Sequence, residues 1–203
     1  MRLSRLVATA FALSMIVAAL AAQQAPAGGG QRGGGGQQPA APPMRLMTQA
    51  FVDGGLIPVK FTQAGTQTSP ALAWANAPQT TQSFVLHMHD LEVARNRTTD
   101  DQLHWLVWNI PATVTSFSEG MPQGAELKDG SRQVSASGPM YRGPGAPASG
   151  PPHHYTFEIF ALDTKIDVQP AADAFDTRAN VMKAMQGHII GRAVLMGLFR
   201  RPQ

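Results

Sequence analysis

The chain contains no cysteine among its 203 residues. It therefore forms no disulfide, although an exported protein would be permitted one, and it carries no lipid-modified cysteine anchor. Charge is also sparse: Asp, Glu, Lys and Arg make up 14% of the residues, and the formal net charge is +3. Arg2, Arg5 and Arg32 all fall within the first 43 residues, so the remainder is close to neutral. Basic residues form no run apart from Arg200-Arg201 at the end, so the basic face that nucleic-acid binding requires is missing. No internal repeat is visible. No Gly-x-Ser-x-Gly elbow surrounds a serine; Ser137 and Ser149 sit in loop-like sequence, so a serine nucleophile is not expected.

The N-terminus reads as a secretory signal over residues 1–22. Arg2 and Arg5 precede an apolar stretch from Leu6 to Leu20, and Ala19-Leu20-Ala21 offers small residues for cleavage. That stretch is too short for a membrane span, so any membrane contact is expected to be peripheral. Residues 23–43 are rich in Gly, Gln, Pro and Ala and can bury almost nothing, which predicts a disordered tether. Residues 44–203 are long enough for one domain with its own core. Together these segments predict a periplasmic or secreted protein.

Within that domain, short apolar runs alternate with turn-forming residues. Leu56 to Thr62 reads as an edge strand beside Pro58. Ser83–His89 and His104–Ile110 are rich in β-branched and aromatic residues. The polar stretch Arg95 to Asp101 joins them, and residues 111–153 are Gly- and Pro-rich. Tyr155 to Leu162 alternates Tyr155, Phe157, Ile159 and Ala161 against Thr156, Glu158 and Phe160. Ile189 to Phe199 is a further strand, interrupted at Gly191 and Gly197. A single helix is expected, capped by Asp176 or Thr177, with Val181, Met182 and Met185 as its apolar stripe and Gly187 closing it. This pattern predicts an all-β fold: an antiparallel β-sandwich or barrel with one or two short helices and long Pro/Gly-rich loops.

Asp90, His104, His153 and Tyr155 each stand at the end of a strand-like run, which suggests a polar pocket at one rim of the β-structure. The segments around them resemble the phosphatidylethanolamine-binding protein family, in its bacterial Raf-kinase-inhibitor-like branch. The resemblance rests on Phe51 to Pro58, Gly65 to Trp74, Asp90, His104-Trp105, Asn109-Ile110-Pro111, Tyr141-Arg142-Gly143-Pro144, His153-His154-Tyr155, Ala161-Leu162-Asp163 and Gly187-His188. It implies a β-sandwich with a small anion-binding cavity at one end. Asp90, His104, Gly143, Pro144, His153 and Tyr155 would line the cavity, with Trp105 and Pro111 nearby. Where the family has Asp-Pro-Asp-Ala-Pro, this chain has Asp90-Leu91-Glu92-Val93-Ala94, and the loss of both prolines predicts a less rigid rim.

Chemically, His104, His153, Tyr155 and the backbone amides near Gly143 would serve as donors to a phosphate, a phosphoethanolamine or a carboxylate. Asp90 would orient an imidazole or accept an amine. The expected activity is binding rather than catalysis, with no cofactor, and the family resemblance adds a kinase or protease as a protein partner. Two alternatives stand beside it. One is a metal-dependent or hydrolytic enzyme using His87 and His89, or an Asp90–His104 dyad. The other is an envelope interaction module with a vestigial pocket. His87 and His89 lie two apart on one strand face, at metal-ligand spacing, and His104 or Glu92 would complete a zinc or iron site. The preferred reading of the pair is half-buried strand histidines facing solvent or the other sheet, with no metal assigned. Trp74, Trp105 and Trp108 are expected in the core, and His188 is expected to cap the helix C-terminus.

Overall fold

The computed structural model describes residues 41–203; the predicted signal segment, and all of the predicted tether except residues 41–43, lie outside the described residues. In chain order the elements are β1 (Arg45–Met47), β2 (Gly55–Leu56), β3 (Leu72–Ala75), β4 (Ser83–Asp90), β5 (Gln102–Pro111), β6 (Ser116–Phe117), β7 (Arg132–Val134), β8 (His153–Leu162), α1 (Ala174–Ala184) and β9 (Ile189–Phe199). They form a six-stranded sheet in the order β2-β9-β8-β4-β5-β7 and a three-stranded sheet in the order β1-β3-β6. Every pairing is antiparallel except the two-residue parallel contact of β2 with β9. The architecture is the expected all-β sandwich, with the helix as a third layer.

Alternation along the central strands sorts their side chains into two cores. Phe84, Leu86 and Met88 of β4 share one face with Trp105, Val107, Tyr155, Phe157 and Ile159, and meet Leu46, Leu72, Trp74 and Phe117 of the small sheet. Val85, Leu103, Leu106, Trp108, Phe160 and Leu162 face the other way, against Ile166, Val168, Val181 and Met185. β4 lies between β5 and β8 with both faces covered, and each of its residues is buried. Each large apolar side chain buried there contributes about 1.5–3 kcal/mol. The expected phase of β8 is the one observed, and all three tryptophans are buried, Trp108 on the helix side.

Two irregularities interrupt the pairing of β5 with β4. Val85 faces both Trp108 and Asn109, because the register passes from Phe84↔Ile110 to Leu86↔Val107. Asn109 takes φ 56° in this bulge and its side-chain amide exchanges two hydrogen bonds with the Ile166 backbone. A second bulge lies near the start of β5, where Met88 pairs with Trp105 but His89 pairs with Leu103, leaving His104 as the extra residue.

Three sequence expectations need correction. Leu56 to Thr62 is not one strand: β2 stops at Leu56, and Val59–Phe61 forms a 3-10 turn after Pro58. The helix begins earlier than expected. Asp173 is its N-cap, its Oδ1 accepting from Phe175 N (2.7 Å) and Asp176 N (3.3 Å), while Thr177 turns its hydroxyl back to the Asp173 carbonyl. β9 is also uninterrupted. A Cβ on Gly197 would stand 2.4 Å from Ile57 Cγ1, so this glycine admits the neighbouring chain rather than breaking the strand.

Candidate functional site

β4 ends where β5 and β8 begin, and this sets the site. Asp90 pairs with Gln102 on one side and Tyr155 on the other, so three strand ends share one rim. The bulge then decides the direction of His104. Regular alternation would place it opposite Trp105; the extra residue lets both point to the small-sheet side, and the His104 ring meets Tyr155 edge-on at 5.0 Å. Asp90, His104, His153 and Tyr155 line one cleft of about 170 Å³, with Gln63, Gln102 and Arg142.

The polar atoms of this cleft are mostly engaged. His153 Nδ1 donates to Asp90 (2.9 Å to Oδ2), which fixes the tautomer and leaves Nε2 free of that bond. His104 Nδ1 donates to the Arg142 carbonyl (2.9 Å), and Arg142 N donates to the His104 carbonyl (3.0 Å). Burial holds the His104 imidazole down at about 4, so at neutral pH it is uncharged and its Nε2 is an acceptor. The Tyr155 hydroxyl accepts from Gly145 N (3.1 Å) and Ala146 N (2.9 Å). Burial, with the Asp90 carboxylate beside it, pushes its phenol above the ordinary range.

These bonds correct the expected roles. His104 is not a donor to a guest, because its one proton is spent on Arg142. The amides near Gly143 are spent too: Gly143 N meets Gln67 Oε1 (3.3 Å), and the next two serve Tyr155. Gly143 and Pro144 hold the wall from behind, their carbonyls accepting from Gln63 Nε2 and Gln63 N. Gly143 is required there, since a Cβ would lie 2.6 Å from the Phe61 carbonyl oxygen. Trp105 does not line the cleft; its ring packs edge-on against Tyr141, and its Nε1 donates to Gln133 (2.8 Å). Pro111 pairs with Ser83 at the far end of β4, roughly 23 Å away at about 3.3 Å per residue.

The sequence motif Tyr141-Arg142-Gly143-Pro144 suggested no role for Arg142, yet the structure gives it one. It is the one Lys or Arg lining the cleft among the described residues, and its Nε is buried without a hydrogen-bond partner. Where the prolines are lost, side-chain bonds brace the rim after β4. Glu92 N donates to Asp90 Oδ1 (3.1 Å), and the Glu92 carboxylate takes His154 N (2.7 Å) and lies 2.5 Å from His154 Nδ1. A side-chain turn replaces the proline restraint.

The pattern of the phosphatidylethanolamine-binding protein family matches residues 47–200. The chain belongs to that family. It is 40% identical over 160 residues to a UPF0098 protein of Methanothermobacter thermautotrophicus, covering 78% of this chain and 99% of the relative. A UPF0098 protein of Chlamydia pneumoniae is 33% identical over 159 residues, covering 78% and 99%. Among solved structures, a phosphatidylethanolamine-binding protein homologue from Chlamydia trachomatis superposes with a TM-score of 0.66 at 29% identity, covering 79% of this chain and 99% of the homologue. YbcL of E. coli, described as a member of the mammalian family, gives 0.64 at 26% identity, covering 78% and 99%. Membership carries a ligand-binding or regulatory role at the level of the family.

His87 and His89 lie elsewhere. They occupy the other face of β4, toward the helix layer and away from the small sheet. Both are buried, and their rings stack at 4.3 Å. The third member of the cluster is Glu158 of β8, opposite His87 in register, rather than His104 or Glu92. His87 Nδ1 and His89 Nε2 lie 3.5 and 3.3 Å from Glu158 Oε2. Burial lowers the pKa of His87. Burial also opposes charge on His89, but the Asp101 and Glu158 carboxylates beside it outweigh this, and its pKa is pushed up to about 9. The signal for Glu158 was present as a lone carboxylate on the outward phase of β8. His188, expected as a helix cap, donates its backbone N–H to the carbonyl of the C-cap Met185 (3.0 Å), while its side chain pairs with Asp163 (2.8 Å).

Proposed function

We propose that this chain is an exported binding protein whose cleft takes a small phosphorylated head group of mixed charge, phosphoethanolamine being the type. The observation that carries this reading is the pairing of opposite chemistries in one small space. Arg142 supplies a cation for a phosphate, while Asp90 and the neutral His104 Nε2 supply acceptors for an ammonium. The volume supports a head group and not an acyl chain, since cavities for drug-sized ligands run to about 300–1,000 Å³. No serine, threonine or lysine lines the cleft among the described residues, and Asp90, His104, His153 and Tyr155 are already bonded into its wall, which favours binding over nucleophilic catalysis.

Calorimetric titration of the full chain with phosphate, phosphoethanolamine and acetate tests the reading. Phosphoethanolamine is expected to bind more tightly than phosphate. Arg142→Gln is expected to weaken both, and Asp90→Asn to remove the preference between them. His104→Ala is expected to abolish binding because it also frees the Arg142 segment. Failure of all three ligands to bind overturns the proposal, as does binding that survives Arg142→Gln and Asp90→Asn unchanged.

A further inference from the structure

We infer that His87, His89 and Glu158 form a divalent transition-metal site of the zinc type, on the opposite face of β4 from the cleft and independent of it. Their ligand atoms lie within 4.8 Å of one another, and all three residues are buried. A tetrahedral ion with bonds of about 2.0–2.1 Å separates its ligands by about 3.3–3.4 Å. The measured separations to Glu158 Oε2 are 3.5 Å from His87 Nδ1 and 3.3 Å from His89 Nε2. Both separations therefore match the edges of a tetrahedron, and the two imidazole nitrogens lie within 4.8 Å of one another.

The surrounding groups are arranged as supports. His89 Nδ1 is held by Asp101 Oδ2, which leaves Nε2 as the metal-facing nitrogen. Asp101 in turn gives its other oxygen to Arg178 Nη1 (2.5 Å). Glu158 is divided in the same way: Oε1 goes to Arg192, and Oε2 faces the two imidazoles. Each carboxylate thus has one oxygen anchored by an arginine and the other turned to a histidine. The Arg192 side chain is 55% exposed, so solvent screens its charge while Glu158 stays inside.

A second, independent observation is the lack of a partner. His89 Nε2, the nitrogen that faces Glu158, is buried without a hydrogen bond. Such an atom costs about 1–3 kcal/mol unless something meets it. His87 also lines a cavity of about 440 Å³ between α1 and the loop before β5, bordered by Asp100, Asp101 and Asp176 together with Arg95 and Arg178. That cavity admits a hydrated cation and leaves room for a water as a further ligand. Two imidazoles and one carboxylate suit zinc and its neighbours rather than calcium or magnesium, which prefer oxygen throughout.

The test is Zn²⁺ alone added to the metal-stripped full chain, read by competition with a chromophoric chelator. One equivalent is expected to bind, with His89→Ala and Glu158→Gln each abolishing it and Asp101→Asn weakening it by about 10–100-fold. Asp90, Glu92 and His153 also approach one another, at the cleft. Loss of binding in His153→Ala but not in His89→Ala would overturn the inference. X-ray absorption of the zinc-loaded native protein avoids any folding defect in the variants. Two imidazoles and one carboxylate in the shell are expected; a single imidazole, or no stoichiometric zinc, would overturn it.

Discussion

β4 delivers polar side chains to both of its faces, and the two clusters are built on different principles. At the rim, Asp90, His104 and Tyr155 bond chiefly to the backbone of loops: the Glu92 amide, the Arg142 carbonyl, and the Gly145 and Ala146 amides. On the helix side, His87, His89 and Glu158 bond to other side chains and end on Arg178 and Arg192. The first arrangement uses polar residues to shape a wall. The second uses charges to aim one another. Disturbing the first should displace a loop, whereas disturbing the second should leave buried charge exposed to its like.

The largest effect is expected at Glu158. Removing one partner from a buried ionic cluster costs on the order of 3–5 kcal/mol. Glu158→Gln should lower stability by about that amount in urea unfolding, whereas Glu92→Gln, in the half-exposed pair with His154, should cost under about 1 kcal/mol. Equal losses would erase the distinction between the clusters.

His104 sharpens the comparison through pH. Its pKa is held near 4 in the folded chain, below the ordinary 6.5, so the unfolded chain binds the proton first. Stability from this group is complete above about pH 6.5 and is lost as pH falls toward 4, by on the order of 3 kcal/mol in total. Denaturation midpoints across that interval should fall, and His104→Gln should flatten the slope. A slope unchanged in the variant would show that the imidazole is not held neutral. A smaller effect than at Glu158 or His104 is expected for Tyr155→Phe, which leaves the Gly145 and Ala146 amides without their acceptor. A loss of about 1–3 kcal/mol, with faster amide exchange confined to residues 143–147, should result.

Order and phase were largely legible in the sequence. The run starting at Tyr155 alternates over its first half, which set the phase of β8, whereas Phe84-Val85-Leu86 is apolar toward both cores, as a central strand covered on both faces requires. Leu56 to Thr62 misled because Pro58 fixes φ and the chain turns there, although its residues favour strands. The helix start was missed because Asp173, not Asp176 or Thr177, offers its carboxylate to the first free amides. Pro111 was grouped with the cleft by family resemblance, yet it closes the far end of its strand. Glu158 stood out as a lone carboxylate in its strand, but its pairing with His87 spans 71 positions of sequence and depends on which strands become neighbours. The bulge at His104 was silent, for an inserted residue leaves no mark of its own among strand-forming neighbours.

That inserted residue imposes a counting rule on the chain. Between Gln102 and Trp105 the ladder holds one unit more than its partner strand needs. Excising it would leave every apolar layer in phase while taking the imidazole out of the hollow. A relative that keeps the hollow must keep this surplus, so a one-residue gap at this point would separate family members that retain the chamber from those that retain only the sandwich.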